Sequence, residues 1–239
     1  MTLEGKRIVV LGGSSGIGLA TAQAAAKKGA HVIVASSRKE RLDAALATLA
    51  NGAEGYVANL AEESAIKALF ERLGAIDHFV FTAADPLQLA PLGQTDLETA
   101  RDFFTLRYWG ALAAAKYASP HIRKGGSIVL TSGIAAERPW PGWSVASSIC
   151  GAMEGLTRAL AVELAPIRVN IVSPGVVKSP LWAPMSDAER EALYAGTAAK
   201  LPVAHVGEVE EIAEAYLYLM RQSYGTGQVL VVDGGAVLV

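Results

Sequence analysis

The feature of this sequence that most constrains its fold is a regular alternation of short apolar runs with longer segments of helical pattern. The first run spans residues 7–11, ends in a glycine-rich turn at 12–18 and is followed by an alanine-rich helical pattern over 19–28. Near-continuous apolar runs are typical of strands that are covered on both faces of a parallel sheet. Further runs of this kind lie at 31–35, 55–57, 79–82, 127–131, 168–173 and 229–232, and helical patterns lie at 38 onward, 62–72, 97–118, 145–164 and 209–220. This spacing predicts right-handed crossovers and one doubly wound α/β sheet of seven parallel strands.

The alternation runs the length of the chain, without a repeat, a linker or a low-complexity stretch within residues 1–239. We therefore expect a single domain. One segment, about 180–202, breaks the pattern, because it carries Trp182, Pro184 and a short helical pattern at 187–200 between two strands that need no such insertion. A long connection at the carboxyl edge of a doubly wound sheet is typical of a lid or a substrate loop. The alternative is a surface excursion without a role.

Composition excludes several classes of protein. Hydrophobic residues make up 51% of the chain, which is enough to bury a sizeable core and excludes an intrinsically disordered protein. The 21 Lys and Arg residues against 23 Asp and Glu residues leave no basic surface for nucleic acid or an anionic membrane. One cysteine and four scattered histidines exclude a disulfide framework and a multi-cysteine zinc site. No apolar leader follows Met1 and no uncharged apolar run reaches about 18 residues, so we expect a soluble, cytoplasmic protein that binds neither nucleic acid nor membrane nor metal.

The glycine-rich turn predicts a phosphate site. Gly12, Gly16 and Gly18 stand between the first strand and the first helix, where glycine lets backbone N–H groups approach a pyrophosphate at a helix N-terminus. Such a turn also occurs where a strand and a helix pack closely, so by itself it does not identify a nucleotide site. Three longer segments are more specific: residues 154–166 (Glu-Gly-Leu-Thr-Arg-Ala-Leu-Ala-Val-Glu-Leu-Ala-Pro), 167–175 (Ile-Arg-Val-Asn-Ile-Val-Ser-Pro-Gly) and 227–235 (Gly-Gln-Val-Leu-Val-Val-Asp-Gly-Gly). With these segments the sequence resembles the short-chain dehydrogenase/reductase family over essentially its whole length, which implies a Rossmann fold and a nicotinamide cofactor.

The resemblance also implies a set of cofactor-binding positions. It puts Gly12, Gly16, Ile17 and Gly18 at the phosphates, Asn59 and Leu60 at the adenine, Ala83 in the stretch after the fourth strand, and Pro174, Gly175, Val177 and Ser179 at the nicotinamide. Asn59 replaces the family's usual Asp and Ser179 its usual Thr, but each keeps a group that can form the hydrogen bond.

The end of the second strand indicates which nicotinamide cofactor is used. An NAD site needs an acidic residue there for the ribose hydroxyls, whereas an NADP site needs a cation for the 2′-phosphate. The residues are Ser36, Ser37 and Arg38, without a carboxylate. Ser37 and Arg38, with the hydroxyls of Ser14 and Ser15, therefore predict NADP(H). The alternative is that Arg38 is a solvated residue of the first helical turn.

The resemblance fails at the family's catalytic residues, which are a tyrosine, a lysine, a serine and an asparagine. The register of the surrounding segments gives each position another residue: Ala146 for the tyrosine, Cys150 for the lysine, Gly133 for the serine and Arg107 for the asparagine. No nearby shift restores the motif, because no tyrosine lies between residues 117 and 194 and no lysine between 124 and 178. Loss of the whole set costs roughly 10⁴-fold in rate, so the catalytic residues are unknown.

Six residues are candidates for the substrate pocket: Arg107, Ser132, Trp143, Cys150, Trp182 and His205. Arg107 can clamp a carboxylate or phosphate, or it pairs with Asp85 or Asp102. Cys150 is a nucleophile or a small buried side chain. His205 titrates near neutrality but also suits a structural role. Ser132 can donate one hydrogen bond, and the tryptophans line an aromatic pocket or fill the volume left by the missing tyrosine and lysine.

Three functions remain open. The first is an NADP(H)-dependent oxidoreductase that acts on a small carbonyl or alcohol substrate by a non-standard mechanism, with a proton from water, the substrate or His205. The second is a catalytically degenerate protein that binds NADP(H) or another ligand as a sensor or a partner subunit. The third, a non-redox enzyme on the same scaffold, is disfavoured by the retained glycine turn. The resemblance implies a homodimer or homotetramer built from helices 97–118 and 145–164, with the apolar ending 236–239 at a subunit contact.

Overall fold

Seven parallel strands form one sheet within the part of the chain that the computed structural model describes, residues 2–49, 52–87 and 89–239. The strands are β1 (Arg7–Leu11), β2 (His31–Ser36), β3 (Glu54–Val57), β4 (Ile76–Phe81), β5 (Ile122–Thr131), β6 (Arg168–Pro174) and β7 (Val229–Val232). Their order across the sheet is β3-β2-β1-β4-β5-β6-β7, and every neighbouring pair is parallel. The predicted doubly wound α/β sheet is confirmed.

Helices connect these strands. They are α1 (Gly16–Lys27), α2 (Lys39–Thr48), α3 (Glu63–Leu73), α4 (Leu97–Phe104), α5 (Ala111–Ala118), α6 (Ser144–Glu163), α7 (Asp187–Ala198) and α8 (Val209–Arg221). The predicted helix at 97–118 is not continuous, because a π-helical segment, Thr105–Gly110, separates α4 from α5. A π turn changes the hydrogen-bonding step without changing which residue types are apolar, so the sequence pattern does not reveal it. None of the described helices is long and apolar enough to cross a membrane.

The strands are buried because alternate side chains point to opposite faces of the sheet. In β1, Val9 and Leu11 pack into an apolar cluster with residues of α3, α5 and α6. Ile8 and Val10 pack on the other face with residues of α1, α2 and α8. All four side chains are fully buried. This two-sided covering is the reason for the near-continuous apolar runs in the sequence.

The strand order reverses at β1, which lies between β2 and β4. Ligands of doubly wound sheets bind at the carboxyl ends of the strands at such a reversal. The turn after β1 is packed so closely there that two of its glycines are required. A Cβ at Gly12, whose φ is +87°, would lie 2.5 Å from the backbone nitrogen of Ala83. A Cβ at Gly18 would lie 2.3 Å from the backbone oxygen of Gly12.

The connection after β6 carries an apolar cluster of its own. Val176, Trp182, Leu201 and Val206 are its buried members, and Trp143 packs against them. The predicted helical stretch at 187–200 is α7, which begins with a capping box at Ser186. The segment is therefore folded onto the body of the protein. Its role as a lid stays a prediction.

Candidate active site

One large cleft opens at the carboxyl edge of the sheet, beside the reversal of strand order. Its volume is about 420 Å³, within the range typical of small-molecule sites. The residues predicted to bind the cofactor all line it: Gly12, Ser14, Ser15, Gly16, Ile17, Gly18, Ser37, Arg38, Asn59, Leu60, Ala83, Pro174, Gly175, Val177 and Ser179. The structure brings these residues together, while their individual contacts with a cofactor stay predictions.

The end of the cleft at α1 fits a pyrophosphate. The helix begins at Gly16, and its first turn, which is fully described, contains no acidic residue. Gly16 has a φ of +53°, and a Cβ there would lie 3.3 Å from Cδ of Pro180 on the opposite wall. The bare backbone thus leaves room for a ligand group, and the helix N-terminus favours a negative charge.

The end of β2 fits a second anionic group. Arg38 and Arg41 both line the cleft, and neither guanidinium forms an ion pair with the described residues. Lys39, between them, is instead paired with Asp43 at 2.7 Å. Two free cations and no carboxylate suit a 2′-phosphate. Sequence reasoning missed Arg41, although its position three residues after Arg38 puts both on one side of a helical turn.

The predicted adenine position is held by local hydrogen bonds. Asn59 donates from Nδ2 to Oε1 of Glu62 at 2.8 Å and accepts at Oδ1 from the backbone N–H of Ala61 at 3.2 Å. A carbonyl oxygen accepts two hydrogen bonds, so one lone pair of Oδ1 remains for a ligand. Leu60 is buried next to it.

The four residues that align with the family's catalytic residues meet in the same cleft. Arg107, Gly133, Ala146 and Cys150 all line it. A Cβ at Gly133 would lie 3.4 Å from Sγ of Cys150, so these two positions are in contact. Among the described residues that line the cleft there is no tyrosine and no lysine.

Arg107 comes from the π-helical segment and is half-buried. It donates from Nη2 to the backbone oxygen of Asp85, and its guanidinium carbon lies 4.3 Å from the ring centre of Phe103. Its Nε is buried without a hydrogen-bond partner among the residues described. Burial lowers the pKa of Arg107 to about 10, so it remains a cation at neutral pH. The expected alternative, an ion pair with the carboxylate of Asp85 or Asp102, is not formed.

Cys150 lies next to Arg107 as a half-buried free thiol. Burial raises the pKa of this thiol, and the nearby Ser132 hydroxyl and Arg107 only partly oppose that effect. The thiol is therefore protonated at neutral pH, and this favours the interpretation as a small packing residue over that as a nucleophile.

Ser132 connects the cleft to a carboxyl group behind it. Its hydroxyl lies 3.2 Å from the backbone oxygen of Cys150 and 3.3 Å from Oε1 of Glu154, and can donate to either. Glu154 is only 8% exposed, and its Oε2 lies 3.5 Å from Nη2 of Arg158, whose side chain reaches solvent. Sequence reasoning missed Glu154 as a site residue. The available signal was its spacing of four residues from Cys150, which puts both on one face of α6.

Tryptophans form one wall of the cleft. The rings of Trp140 and Trp143 are 5.4 Å apart in an edge-to-face arrangement, and Trp143 lies 6.4 Å from Trp182. Trp182 is 5% exposed and donates from Nε1 to the backbone oxygen of Val177 at 2.9 Å. Two of the predicted pocket residues, Trp143 and Trp182, are thus brought to the cleft.

His205 is not brought to the cleft. Its Nδ1 lies 3.1 Å from the backbone oxygen of Val203, and its Nε2 lies 3.2 Å from Oε1 of Glu211. The hydrogen bond with Glu211 raises the pKa of His205. Its side chain is 56% exposed in this ion pair. The expectation that His205 is a pocket residue therefore finds no support in its position, because the loop turns its imidazole toward α8.

Comparisons with known proteins agree with this geometry. A family model for an SDR-like Rossmann domain matches residues 2–239. The short-chain dehydrogenase/reductase malC of Malbranchea aurantiaca is 35% identical over 99% of this chain and 96% of its own length. The 3-oxoacyl-acyl-carrier-protein reductase FabG of Thermotoga maritima is 32% identical over the full length of both chains.

Solved structures are similar as well. A small-chain dehydrogenase in complex with NADPH is 35% identical, with a TM-score of 0.85 over 99% of this chain and 100% of the other. The MalC reductase/Diels-Alderase of Malbranchea aurantiaca has a TM-score of 0.92 at 34% identity, over 99% of this chain and 98% of the other.

Proposed function

Because this chain belongs to the short-chain dehydrogenase/reductase family of oxidoreductases, we propose that it interconverts a small carbonyl compound and its alcohol with NADP(H), by a non-standard mechanism. The observation that carries the proposal is the cleft, in which a bare helix N-terminus, two unpaired arginines and a hydroxyl backed by a carboxyl group share about 420 Å³. The similar dehydrogenase solved with NADPH supports the choice of cofactor.

Bound NADP(H) supplies or takes up a hydride at its nicotinamide ring, and the protein orients it. In the proposal, the N-terminus of α1 binds the pyrophosphate through its free backbone N–H groups. Arg38 and Arg41 bind the 2′-phosphate, with the Ser14 and Ser36 hydroxyls beside them, 2.9 Å apart. Pro174, the last residue of β6, and Gly175 after it hold the nicotinamide end next to Ser132.

Ser132 is the proposed hydrogen-bond donor to the substrate oxygen. In the direction of reduction, the proton of its hydroxyl passes to that oxygen, which becomes the alcohol O–H. The serine oxygen then regains a proton from solvent water that enters the cleft, and oxidation reverses both transfers. The Glu154 carboxylate accepts from the Ser132 hydroxyl at 3.3 Å and so fixes the position of the serine oxygen. Ser132 thus contacts the substrate, whereas Glu154 acts through Ser132.

A second candidate function follows from the missing tyrosine and lysine among the described cleft residues. It is a protein that binds NADP(H) or another ligand without turnover, as a sensor or a partner subunit. Only the first candidate requires a reaction. Rate measurements therefore separate the two once NADP(H) binding is established.

Calorimetric titration with NADPH and NADH tests the cofactor. We expect NADPH to bind at least tenfold more tightly, a difference of about 1.4 kcal/mol. Arg38→Asp with Arg41→Asp should reverse the preference, because two carboxylates repel a phosphate and accept from ribose hydroxyls. Lys39→Gln is the matched control, since Lys39 is bound to Asp43 and should leave the preference unchanged. Equal affinities would contradict NADP(H), and binding of neither nucleotide would contradict the oxidoreductase.

Steady NADPH oxidation with a panel of activated ketones tests the reaction. Turnover that depends on ketone concentration supports the oxidoreductase. Tight NADPH binding without turnover on any ketone supports the binding protein instead.

A further inference from the structure

Arg107 is a half-buried cation that forms no ion pair with the described residues. Its guanidinium stacks on Phe103 and donates from Nη2 to one backbone oxygen, that of Asp85. A guanidinium carries five N–H donors, so most of them remain available, and the buried Nε has no partner. Among the described residues that line the cleft, Asp85 is the sole acidic one, and it meets Arg107 through its backbone.

An arrangement of this kind is unfavourable in the free protein. Removal of a cation from water costs free energy that an opposite charge normally offsets. The contact with Phe103 and one carbonyl offset only part of that cost. A ligand that brings a negative charge to Arg107 would recover the remainder, and its binding would gain from the low local polarity.

The backbone around Arg107 is a second, independent observation. The helix leaves regular α geometry only over Thr105–Gly110 and resumes it in α5. Single π turns inside α-helices are frequent at functional sites, because they change the direction in which a side chain points. Here the π turn carries Arg107 to the wall of the main cleft and to a side cavity of about 40 Å³ next to Ser132 and Cys150.

We infer that Arg107 binds a carboxylate group of the substrate, so that the substrate class is a carbonyl compound that also carries a carboxylate. The planar fork of a guanidinium matches the two oxygens of a carboxylate. The rest of the molecule is apolar or aromatic, because Trp140 and Trp143 line the same cleft. This inference rests on the proposed function, since it names the substrate class of the same cleft.

The test uses two ligands that differ only in charge at the relevant position, benzoylformate and its methyl ester. Their binding to the full chain is measured by calorimetry with and without NADP⁺, so that no turnover is required. We expect wild-type protein to bind benzoylformate at least tenfold more tightly than the ester, because hydrogen bonds to a charged partner are the strong ones.

Arg107→Gln should remove this difference, because it should weaken the binding of benzoylformate and leave the binding of the ester unchanged. Arg107→Lys keeps the charge but not the fork, so it should retain part of the difference, and it replaces the Gln variant if that one does not fold. Arg101→Gln is the matched control: Arg101 lies one helical turn and a half earlier, is exposed and is bound to Glu98. This control should behave as wild type.

Several results would overturn the inference: equal binding of the two ligands, tighter binding of the ester, binding of neither at millimolar concentration, or equal losses in the Arg107 and Arg101 variants. Separate titrations of each variant with NADPH keep the two proposals apart. A chain that binds benzoylformate through Arg107 but no NADPH would contradict the proposed function and not the carboxylate site. The reverse result would contradict only the site.

Discussion

Glu154 affects the cleft only through the Ser132 hydroxyl, so its role can be separated from that of the residues that bind ligand. Glu154→Gln keeps the shape and an acceptor oxygen but removes the negative charge that faces the Ser132 hydroxyl. We expect it to lower kcat for ketone reduction about tenfold, with little change in KM for NADPH, because hydrogen bonds to a charged group are stronger than those between neutral groups. Initial rates of NADPH oxidation at several ketone and NADPH concentrations measure both parameters.

The control is Glu163→Gln, which removes a carboxylate at the exposed end of the same helix. It should leave kcat as in wild type. The positioning role of Glu154 would be contradicted by equal effects of the two substitutions, or by a change in KM for NADPH without a change in kcat.

Single residues also show what the sequence can and cannot reveal. Gly12 and Arg38 were predicted because each belongs to a short motif whose position between a strand and a helix fixes its surroundings. Glu154 was missed because its importance depends on Ser132, a residue far away in sequence that tertiary packing brings within 3.3 Å. His205 was expected in the pocket because an imidazole ordinarily titrates near neutral pH and so suits proton transfer. The direction of a loop side chain, however, depends on partners such as Glu211, which local sequence does not specify.

At the scale of secondary-structure elements, the segment over the cleft depends on one buried side chain. Trp182 lies in the 3₁₀ turn Pro180–Trp182 and packs in the third apolar cluster, apart from the two that cover the sheet. Trp182→Ala should therefore loosen residues 180–202 locally and leave the body of the fold intact, although Trp→Ala in a single core costs about 3–5 kcal/mol.

Amide hydrogen exchange measures this effect. We expect faster exchange in residues 180–202 of Trp182→Ala, with little change in β4 and β5, and protection of the segment by NADPH in wild type. Tyr224→Ala is the control, because Tyr224 is 98% exposed. Uniformly faster exchange over the whole chain would mean that the segment is part of the main core and not a separate lid.

Elements differ in how far they can be predicted. Strands such as β6 are predictable because burial on both faces requires a continuous apolar run, which a sequence displays directly. The π-helical segment at Thr105–Gly110 is not, since one wider turn leaves the apolar pattern of residues 97–118 almost unchanged. The element that carries the proposed ligand-binding arginine is therefore the one least visible in the sequence.

At the scale of the whole molecule, one buried histidine links stability to pH. The imidazole of His78 is 4% exposed, with Nδ1 2.9 Å from Oγ of Ser127. Burial lowers its pKa to about 4, and Arg168 and Lys6 add to this effect while Asp77 opposes it. In the unfolded chain the pKa is near its usual value of about 6.5, so as the pH falls the unfolded state takes up the proton first.

The stability that neutral His78 provides is thus complete above about pH 6.5 and is lost as the pH falls toward 4. We expect the free energy of unfolding in urea to be about 2 kcal/mol lower near pH 5 than near pH 7. His78→Gln cannot titrate and should reduce this dependence, whereas His205→Gln should not reduce it, because the hydrogen bond with Glu211 raises the pKa of His205 instead of lowering it. If the free energy of unfolding changes equally with pH in His78→Gln and in wild type, the dependence belongs to other groups.

The homodimer or homotetramer stays a prediction, and these measurements should be made at several protein concentrations.

The two outermost strands of the sheet are its shortest. β3 and β7 have four residues each, and at the start of β3 the Glu54 carboxylate is engaged by Arg7, His31 and Tyr56. A short edge with a charged side chain offers a second chain few free main-chain groups with which to pair. The sheet is therefore a poor template for intermolecular β-strand addition, and the protein should resist amyloid-like aggregation at concentrations at which long, apolar sheet edges do not.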